Sequence, residues 1–246
     1  MQRDYYYQYF HLERNNWWFL VRFKIIRQTI KKYVYKGTPL KILNIGVATG
    51  AGSDMLSVFG NVISSEYDEE TCQFLRDELK IDVTQASVTA LPFADNTFDL
   101  VCAFDVIEHV EDDIQAYAEM KRVCKNGGHI AVTVPAFMMM WSGHDVINHH
   151  FRRYKKEGIL KLLSHHHLKT KYSSYFNTIL FLPVLLIRLA KNALGKNEIP
   201  QSDFQTNTHP LINTTLKTIF SVELFLLKLV SLPFGVSYFN ISEKED

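Results

Sequence analysis

The sequence predicts an α/β protein with a mostly parallel sheet, on three observations. Apolar runs of strand length alternate with amphipathic runs of helix length, a glycine-rich turn follows the first strand, and an acidic residue closes the second. The strand-length runs are LKILNI (40–45), NVISSE (61–66), IDVTQA (81–86), FDLVCAF (98–104) and HIAVTVP (129–135). Helical patterns at 51–60, 69–79 and 110–124 separate them. The last of these helices is expected to close on KNGG, where Gly127 and Gly128 can take the left-handed conformation before the next strand.

With 246 residues and 47% hydrophobic content, the chain can bury a sizeable core as a single domain. Lys and Arg total 27 against 26 Asp and Glu, so no global field draws it to nucleic acid, and none is expected as a partner. Cys72, Cys102 and Cys124 are odd in number, widely spaced and set among apolar residues, which fits reduced core thiols rather than disulfides or a zinc site. The stretch MQRDYYYQYFHLERNNWWF lacks the pattern of a secretory signal, and a cytoplasmic location is expected, with contact at the inner membrane face left open.

Ligands of open α/β sheets sit beyond the carboxyl ends of the strands. There the first strand meets Gly46, Ala48 and Gly50, small residues that let backbone amides approach a ligand. Glu66 ends the second strand about twenty residues later, where a carboxylate can accept both hydroxyls of a ribose. A dinucleotide fingerprint would need glycine at 48 and 51, which are alanines, and no Lys-Ser/Thr pair follows to grip phosphates. A nucleoside without a pyrophosphate is expected.

Five ordered motifs carry a resemblance: LNIGVATG (43–50), SSEYD (64–68), ASVTALPFADNTFDLV (86–101), FDVIEHVEDD (104–113) and MKRVCKNGGHIAVTVP (120–135). In them the chain resembles the class I S-adenosylmethionine-dependent methyltransferases, over roughly residues 38–176. ERNNWWF (13–19), WSGHDVINHHFRRY (141–154) and LPFGVS (232–237) further resemble a bacterial subgroup often associated with glycosyltransferases. The resemblance implies a Rossmann-like fold, a seven-stranded mostly parallel sheet with an antiparallel last strand. It implies S-adenosylmethionine as cofactor and S-adenosylhomocysteine as product. Asn44, Gly46, Val47, Ala48 and Gly50 would line the methionine half, Glu66 hold the ribose, Tyr67 lie against adenine, Ser87 and Val88 meet its edge, and Asp105 and Val106 border methionine and acceptor. Two departures stand out. Asn44 replaces the usual acidic residue and Ala48 the middle glycine; one lost charge-assisted bond to the ammonium would cost on the order of 1 to 2 kcal/mol.

A sulfonium already activates its methyl group, so transfer needs alignment and, for an oxygen or nitrogen acceptor, removal of a proton. WSGHDVINHHFRRY follows the fifth strand, at the carboxyl edge, and His144 oriented by Asp145 is its candidate base; the alternative is that these residues only position the loop. A metal held by His144, Asp145 and His149 is set aside, because nothing in the spacing fixes the geometry. Glu108 and His109 stand where they could reach the acceptor, although the preferred reading has Glu108 capping the next helix with His109 packed beside it. His109, Trp141, His149, Arg152 and Arg153 are the acceptor-binding candidates, the arginines with Lys155 and Lys156 suiting a phosphate or carboxylate. His165, His166 and His167 are read as a helix end whose imidazolium complements the dipole.

LKTKYSSYF (168–176) reads as the sixth strand and GVSYFNIS (235–242) as the antiparallel seventh. The division expected is an N-terminal helical cover (1–37), a cofactor-binding core (38–176), inserted helices (177–234) and a last strand with tail (235–246). The cover brings Tyr5, Tyr6, Tyr7, Tyr9, Trp17, Trp18 and Phe19, read mainly as buried packing, with a cation-π role at the sulfonium as the alternative. The insertion holds two apolar helical runs, 178–194 and 211–234, around a polar stretch expected to be mobile, 195–210. Arg188 interrupts the first run, and Lys217, Glu223 and Lys228 the second, so neither is read as a transmembrane helix. Their broad apolar coverage needs the rest of the molecule, a second subunit, a membrane surface or a lipid-linked acceptor. The function expected is methyl transfer to oxygen or nitrogen of a saccharide or lipid-linked saccharide. The alternatives are a small metabolite, a lipid, or nucleoside binding without transfer.

Overall fold

The computed structural model describes residues 3–193 and 209–245; most of the polar stretch 195–210, and the Tyr5 side chain, lie outside the described residues. Seven strands form one sheet: β1 (Leu40–Ile45), β2 (Gly60–Glu66), β3 (Val83–Gln85), β4 (Phe98–Phe104), β5 (Cys124–Pro135), β6 (Leu168–Phe176) and β7 (Ser237–Lys244). Their spatial order is β3-β2-β1-β4-β5-β7-β6, and β7 runs antiparallel to both neighbours. The described helices are α1 (Arg3–Asn15), α2 (Trp17–Tyr33), α3 (Ala51–Leu56), α4 (Glu69–Asp77), α5 (Asp113–Val123), α6 (Gly143–Ile147), α7 (Lys156–His165), α8 (Phe181–Ala193), α9 (Pro210–Ser221) and α10 (Glu223–Leu229).

Strand residues alternate between two cores because successive side chains leave a strand on opposite faces. Ile42, Leu100, Cys102 and Ala131 face a layer built by α2 and by Phe220 and Leu227 of α9 and α10. Leu43, Ile45, Val101, Ala103 and Ile130 face α5 and α7 through Tyr117, Met120, Ile159 and Leu163. Both faces of the sheet are covered, as parallel strands require. All three cysteines are free and buried.

Two expected element ends move, and a third holds with a different charge state favoured. α5 starts after Asp112, whose carboxylate accepts the Gln115 amide at 2.9 Å, so Asp112 and not Glu108 is the cap. α5 stops at Val123, and Cys124 already pairs with Phe98 of β4, so Gly127 and Gly128 do not close the helix. They lie instead in an excursion of β5, between its pairings at Cys124 and His129, where Gly127 has φ +70°. α7 does end at His165, but burial, with the charges of His165 and Lys121, lowers the His166 pKa, which works against the imidazolium expected there.

The N-terminal helices are sewn onto the sheet. Trp18 stacks on Phe220 and Phe176, with centroids 5.5 and 5.8 Å away, and Tyr6 stacks on Phe74 of α4 at 5.0 Å. The amide of Trp17 donates to the Asn213 side chain of α9 at 2.7 Å. Pro210–Leu229 is, among the described residues, the stretch long and apolar enough to cross a membrane, yet it breaks at Val222 and docks on α2. Glu223, one of the charges that interrupt the second apolar run, is fully buried and accepts the amides of Asn177 at 2.7 Å and Ile179 at 2.8 Å, just before α8. Leu211, Ile212, Phe225 and Leu229 remain exposed, as do Leu182, Leu186 and Leu189 of α8.

Because Glu223 satisfies two buried amides, Glu223→Ala should lower the unfolding free energy by about 2–4 kcal/mol. Glu223→Gln, which keeps one acceptor oxygen, should cost clearly less. Urea unfolding followed by circular dichroism measures both, and equal costs would show that the acceptor role is not what matters.

Candidate active site

The carboxyl ends of β1, β2 and β4 open on one cleft of about 990 Å³, walled on its other sides by α1, α2, α8 and the loop after β5. Its position follows from topology. β1 has β2 on one side and β4 on the other, so the chain leaving β1 and the chain leaving β4 diverge and leave a crevice between them.

At the nucleoside end the turn after β1 is forced into the left-handed region at Gly46 (φ +68°) and Ala48 (φ +49°). A Cβ on Gly46 would lie 2.5 Å from Cγ2 of Val106, so glycine is needed for the close approach of the β1 and β4 ends as well as for its φ. Glu66 accepts the amides of Tyr67 (2.8 Å), Ala48 (3.1 Å) and Asp68 (3.3 Å). Burial raises its pKa, and these three N–H groups offset that only in part. Tyr67 stands 74% exposed on the rim, open to cover a flat ligand. The Ser87 hydroxyl meets that of Thr89 at 2.8 Å, and Val88 lies beneath; both line the cleft.

Three expected cofactor contacts are absent from the wall. Asn44 is buried and donates to the Ser53 hydroxyl of α3 at 3.0 Å. Val47 packs under the turn with Cys72, Leu75 and Val83. Gly50 is the N-cap of α3 at φ +86°, where a Cβ would strike Ile81 at 2.6 Å. All three shape the turn from behind. Two further charges line the cleft beside this turn, Glu13 from the ERNNWWF stretch and Arg22 from outside the quoted motifs. Glu13 of α1 is buried, accepts the Thr49 hydroxyl and is raised in pKa by burial. Arg22 of α2 pairs with Asp105 at 2.9 Å and donates to Thr133 at 3.0 Å, while its Nε has no hydrogen-bond partner.

At the other end the expected base pair is rearranged. Asp145 does not orient His144. Its buried carboxylate receives Arg153 at 2.7 and 3.0 Å, His150 Nδ1 at 2.9 Å and the Ser142 amide at 2.8 Å. Burial acts to raise Asp145, and the His150 hydrogen bond with the Arg153 charge outweighs it, holding the acid well below the usual carboxylate range. His144 still lines the cleft, with its ring 3.2 Å from the Asn148 amide. Arg153 lines the cleft with its buried guanidinium held on Asp145, and Arg152 pairs with Asp113 at 3.0 Å outside the cleft lining. His149 is exposed and Trp141 half-buried, and neither lines the cleft. His109 does line it; desolvation by the cleft wall and then the neighbouring His150 push it down to about 4, although part of its surface is open to solvent. Glu108, read as a cap, is instead buried in the wall with neither carboxyl oxygen hydrogen-bonded.

A seven-stranded sheet of this order, with its antiparallel strand beside the edge and a nucleoside-sized crevice at β1, is the class I methyltransferase fold. Residues 43–132 match the family model described as a methyltransferase domain. A probable S-adenosylmethionine-dependent methyltransferase of Mycolicibacterium smegmatis is 30% identical over 136 residues, 54% of this chain and 51% of that protein. A ubiquinone/menaquinone biosynthesis C-methyltransferase of Cronobacter sakazakii is 27% identical over 124 residues, 45% of this chain and 49% of that one. The chain thus spans about half the length of the curated relatives it matches. Among solved structures, Haemonchus contortus phosphoethanolamine N-methyltransferase 2 in complex with S-adenosyl-L-methionine aligns with a TM-score of 0.54 at 18% identity, over 88% of this chain and 51% of that one. The chain is thus similar to S-adenosylmethionine-dependent methyltransferases in sequence over its central part and has the class I methyltransferase fold.

Gly46→Ala places a methyl group against Val106 and a side chain at positive φ, so it should destabilise by about 2–4 kcal/mol. Adding Val106→Ala should restore the part due to collision and leave the backbone part. A thermal-melt cycle of the two single variants and the double checks this; strict additivity would show that the two residues do not touch.

Proposed function

We propose that this protein binds S-adenosylmethionine in the cleft at β1 and transfers its methyl group to an oxygen or nitrogen of a saccharide carried on a lipid. The observation that carries the methyl-transfer reading is the pairing, across one turn, of the left-handed Gly46–Ala48 backbone with the Glu66 carboxylate. Two acceptor oxygens at the end of β2 suit the two hydroxyls of a ribose. Arg22, with its Nε lacking an acceptor, suits the cofactor's carboxylate, while Glu13 and Asp105 supply the negative charge that Asn44 does not. The donor set therefore fits the cofactor, through residues different in part from those the motifs imply.

When bound, S-adenosylmethionine supplies an activated methyl carbon whose bond to sulfur breaks with its electron pair left on sulfur. The protein's part is alignment, exclusion of water and acceptance of a proton. Asp105 and Val106 line the cleft at the end of β4, where they would border the path of an acceptor to the methyl carbon. His144, on the acceptor wall, takes the proton from the acceptor hydroxyl or amine as the new bond forms. The lipid part of the proposal draws support from α8, which turns Val184 and Ile187 into the cleft and exposes Leu182, Leu186 and Leu189 on its outer side.

Calorimetry should show binding of S-adenosylmethionine and S-adenosylhomocysteine, weakened at least tenfold by Glu66→Ala. Incubation with a radiolabelled methyl donor and separated membrane-lipid and aqueous fractions of a cell extract should label the lipid fraction. Label only on water-soluble material would sink the lipid-linked acceptor. Label on a ring carbon would favour the chemistry named for the Cronobacter sakazakii relative, and no cofactor binding would overturn the reading as a whole.

A further inference from the structure

We propose that Glu108, His109 and His150 form a centre for one first-row divalent cation, of the Zn²⁺ or Mn²⁺ type, at the acceptor end of the cleft. One carboxylate oxygen and two imidazole nitrogens lie within 4.8 Å of one another, the one such grouping of metal-ligand side chains among the described residues. All three residues line the cleft.

The environment of each ligand matches this role. Glu108 is 1% exposed, and both of its oxygens are without a hydrogen-bond donor. A buried carboxyl left in that state is costly unless a proton or a cation satisfies it. His150 is held from behind: its Nδ1 meets Asp145, which Arg153 and the Ser142 amide fix in turn, so Nε2 is the nitrogen left to face the cluster. A carboxylate behind a ligating imidazole fixes its tautomer and raises its basicity. The His109 and His150 rings stand edge to face, with centroids 4.5 Å apart. The two segments that bring the ligands are locked together by the backbone, the Phe151 amide donating to the Glu108 carbonyl at 2.7 Å.

Two imidazoles and one carboxylate favour zinc, manganese or a similar ion over magnesium or calcium, which take oxygen ligands. Three protein ligands leave positions open towards the cleft. This part rests on the proposed function: an acceptor hydroxyl on the ion is a stronger acid than in water, so its proton passes more readily to His144 as its oxygen takes the methyl carbon. The predicted signature is an acceptor with a coordinating oxygen next to the methylated one.

Purified protein freed of metal with a chelator and then dialysed should bind one Co²⁺ or Zn²⁺ per chain, by visible absorption for Co²⁺ and by calorimetry for Zn²⁺. Glu108→Gln and His150→Ala should each weaken binding at least tenfold, and His109→Ala should shift the Co²⁺ absorption bands. Circular dichroism melts report whether each variant is folded, and Asp145 is left intact so that the loop keeps its anchor. Absence of stoichiometric binding to the wild type, or binding unchanged in folded Glu108→Gln and His150→Ala, overturns the proposal. S-adenosylmethionine binding in the same samples separates the two readings. Cofactor binding without metal removes the centre alone, and metal binding without cofactor removes the methyltransferase reading while leaving the centre.

Discussion

The close approach of the β1 and β4 carboxyl ends, where Gly46 packs on Val106 with no room for a side chain, is the constraint on which the site depends. Parallel neighbours of the same sheet leave their ends about one strand spacing apart, too near for two ordinary turns. The chain answers with left-handed residues on both sides of the gap: Gly46, Ala48 and Gly50 after β1, and Asp105 after β4. Ala48 and Asp105 lack glycine's freedom, and such conformations cost of order 1 kcal/mol or more each. That cost is tolerated because the ladder and both cores over-determine the strand ends: Ile45 is paired on one side with Ser65 and on the other with Ala103. The same twist points the Ala48 amide at Glu66, so backbone strain and ribose-sized acceptor geometry are two results of one turn.

Buried charge is the second device. Arg22–Asp105 has one partner almost out of solvent and ties α2 to the end of β4, whereas Arg153–Asp145 has both partners buried and closes the 141–154 loop on itself. Ion pairs of this kind add little net stability compared with apolar packing, because desolvation opposes the Coulomb gain, but removing one partner is expensive. Their value here is position. Arg22 fixes α2 over β4 and β5, and Asp145 fixes the loop after β5 so that His150 rather than His144 has a carboxylate behind it.

The sheet was legible in the sequence because burial on both faces leaves apolar runs of strand length, and all seven strands fall where those runs are. Glu66, Gly46, Ser87 and Val88 were legible for a related reason: they lie at strand ends, and topology alone decides which way a strand end faces. Asn44, Val47 and Gly50 share the motif but not the cleft, since neighbouring residues of a tight turn point to opposite sides and a linear motif does not say which. Glu13 and Arg22 could not be placed from spacing, because helix docking sets their reach across the chain. The Asp145 partners were misread by proximity: His144 is adjacent in sequence, whereas the loop folds back to deliver His150 and Arg153. One signal was present, the Glu-His pair directly after an apolar strand; a polar pair at that point is either a cap or a site, and Asp112 four residues on already serves as the cap.

The two halves of the cleft come from different parts of the chain, and this governs how each can vary. The nucleoside half is built on β1, β2 and β4, where any change of backbone disturbs the sheet itself. The half proposed for the acceptor is built on the loop from Trp141 to Tyr154 and on α8: the loop meets the end of β5 where the Tyr154 amide donates to the Pro135 carbonyl, Asp145 with Arg153 holds the loop together, Arg188 ties α8 to the Met140 carbonyl, and Glu223 takes the amides before α8. Those anchors leave most other side chains of the acceptor half facing the cleft or solvent, where substitution is cheap in stability. A fixed donor end and a replaceable acceptor end are what a fold needs in order to move one chemical group onto many substrates. Under the proposed function, acceptor preference would be carried by 141–154 and α8, whose His144 and Ile187 line the cleft.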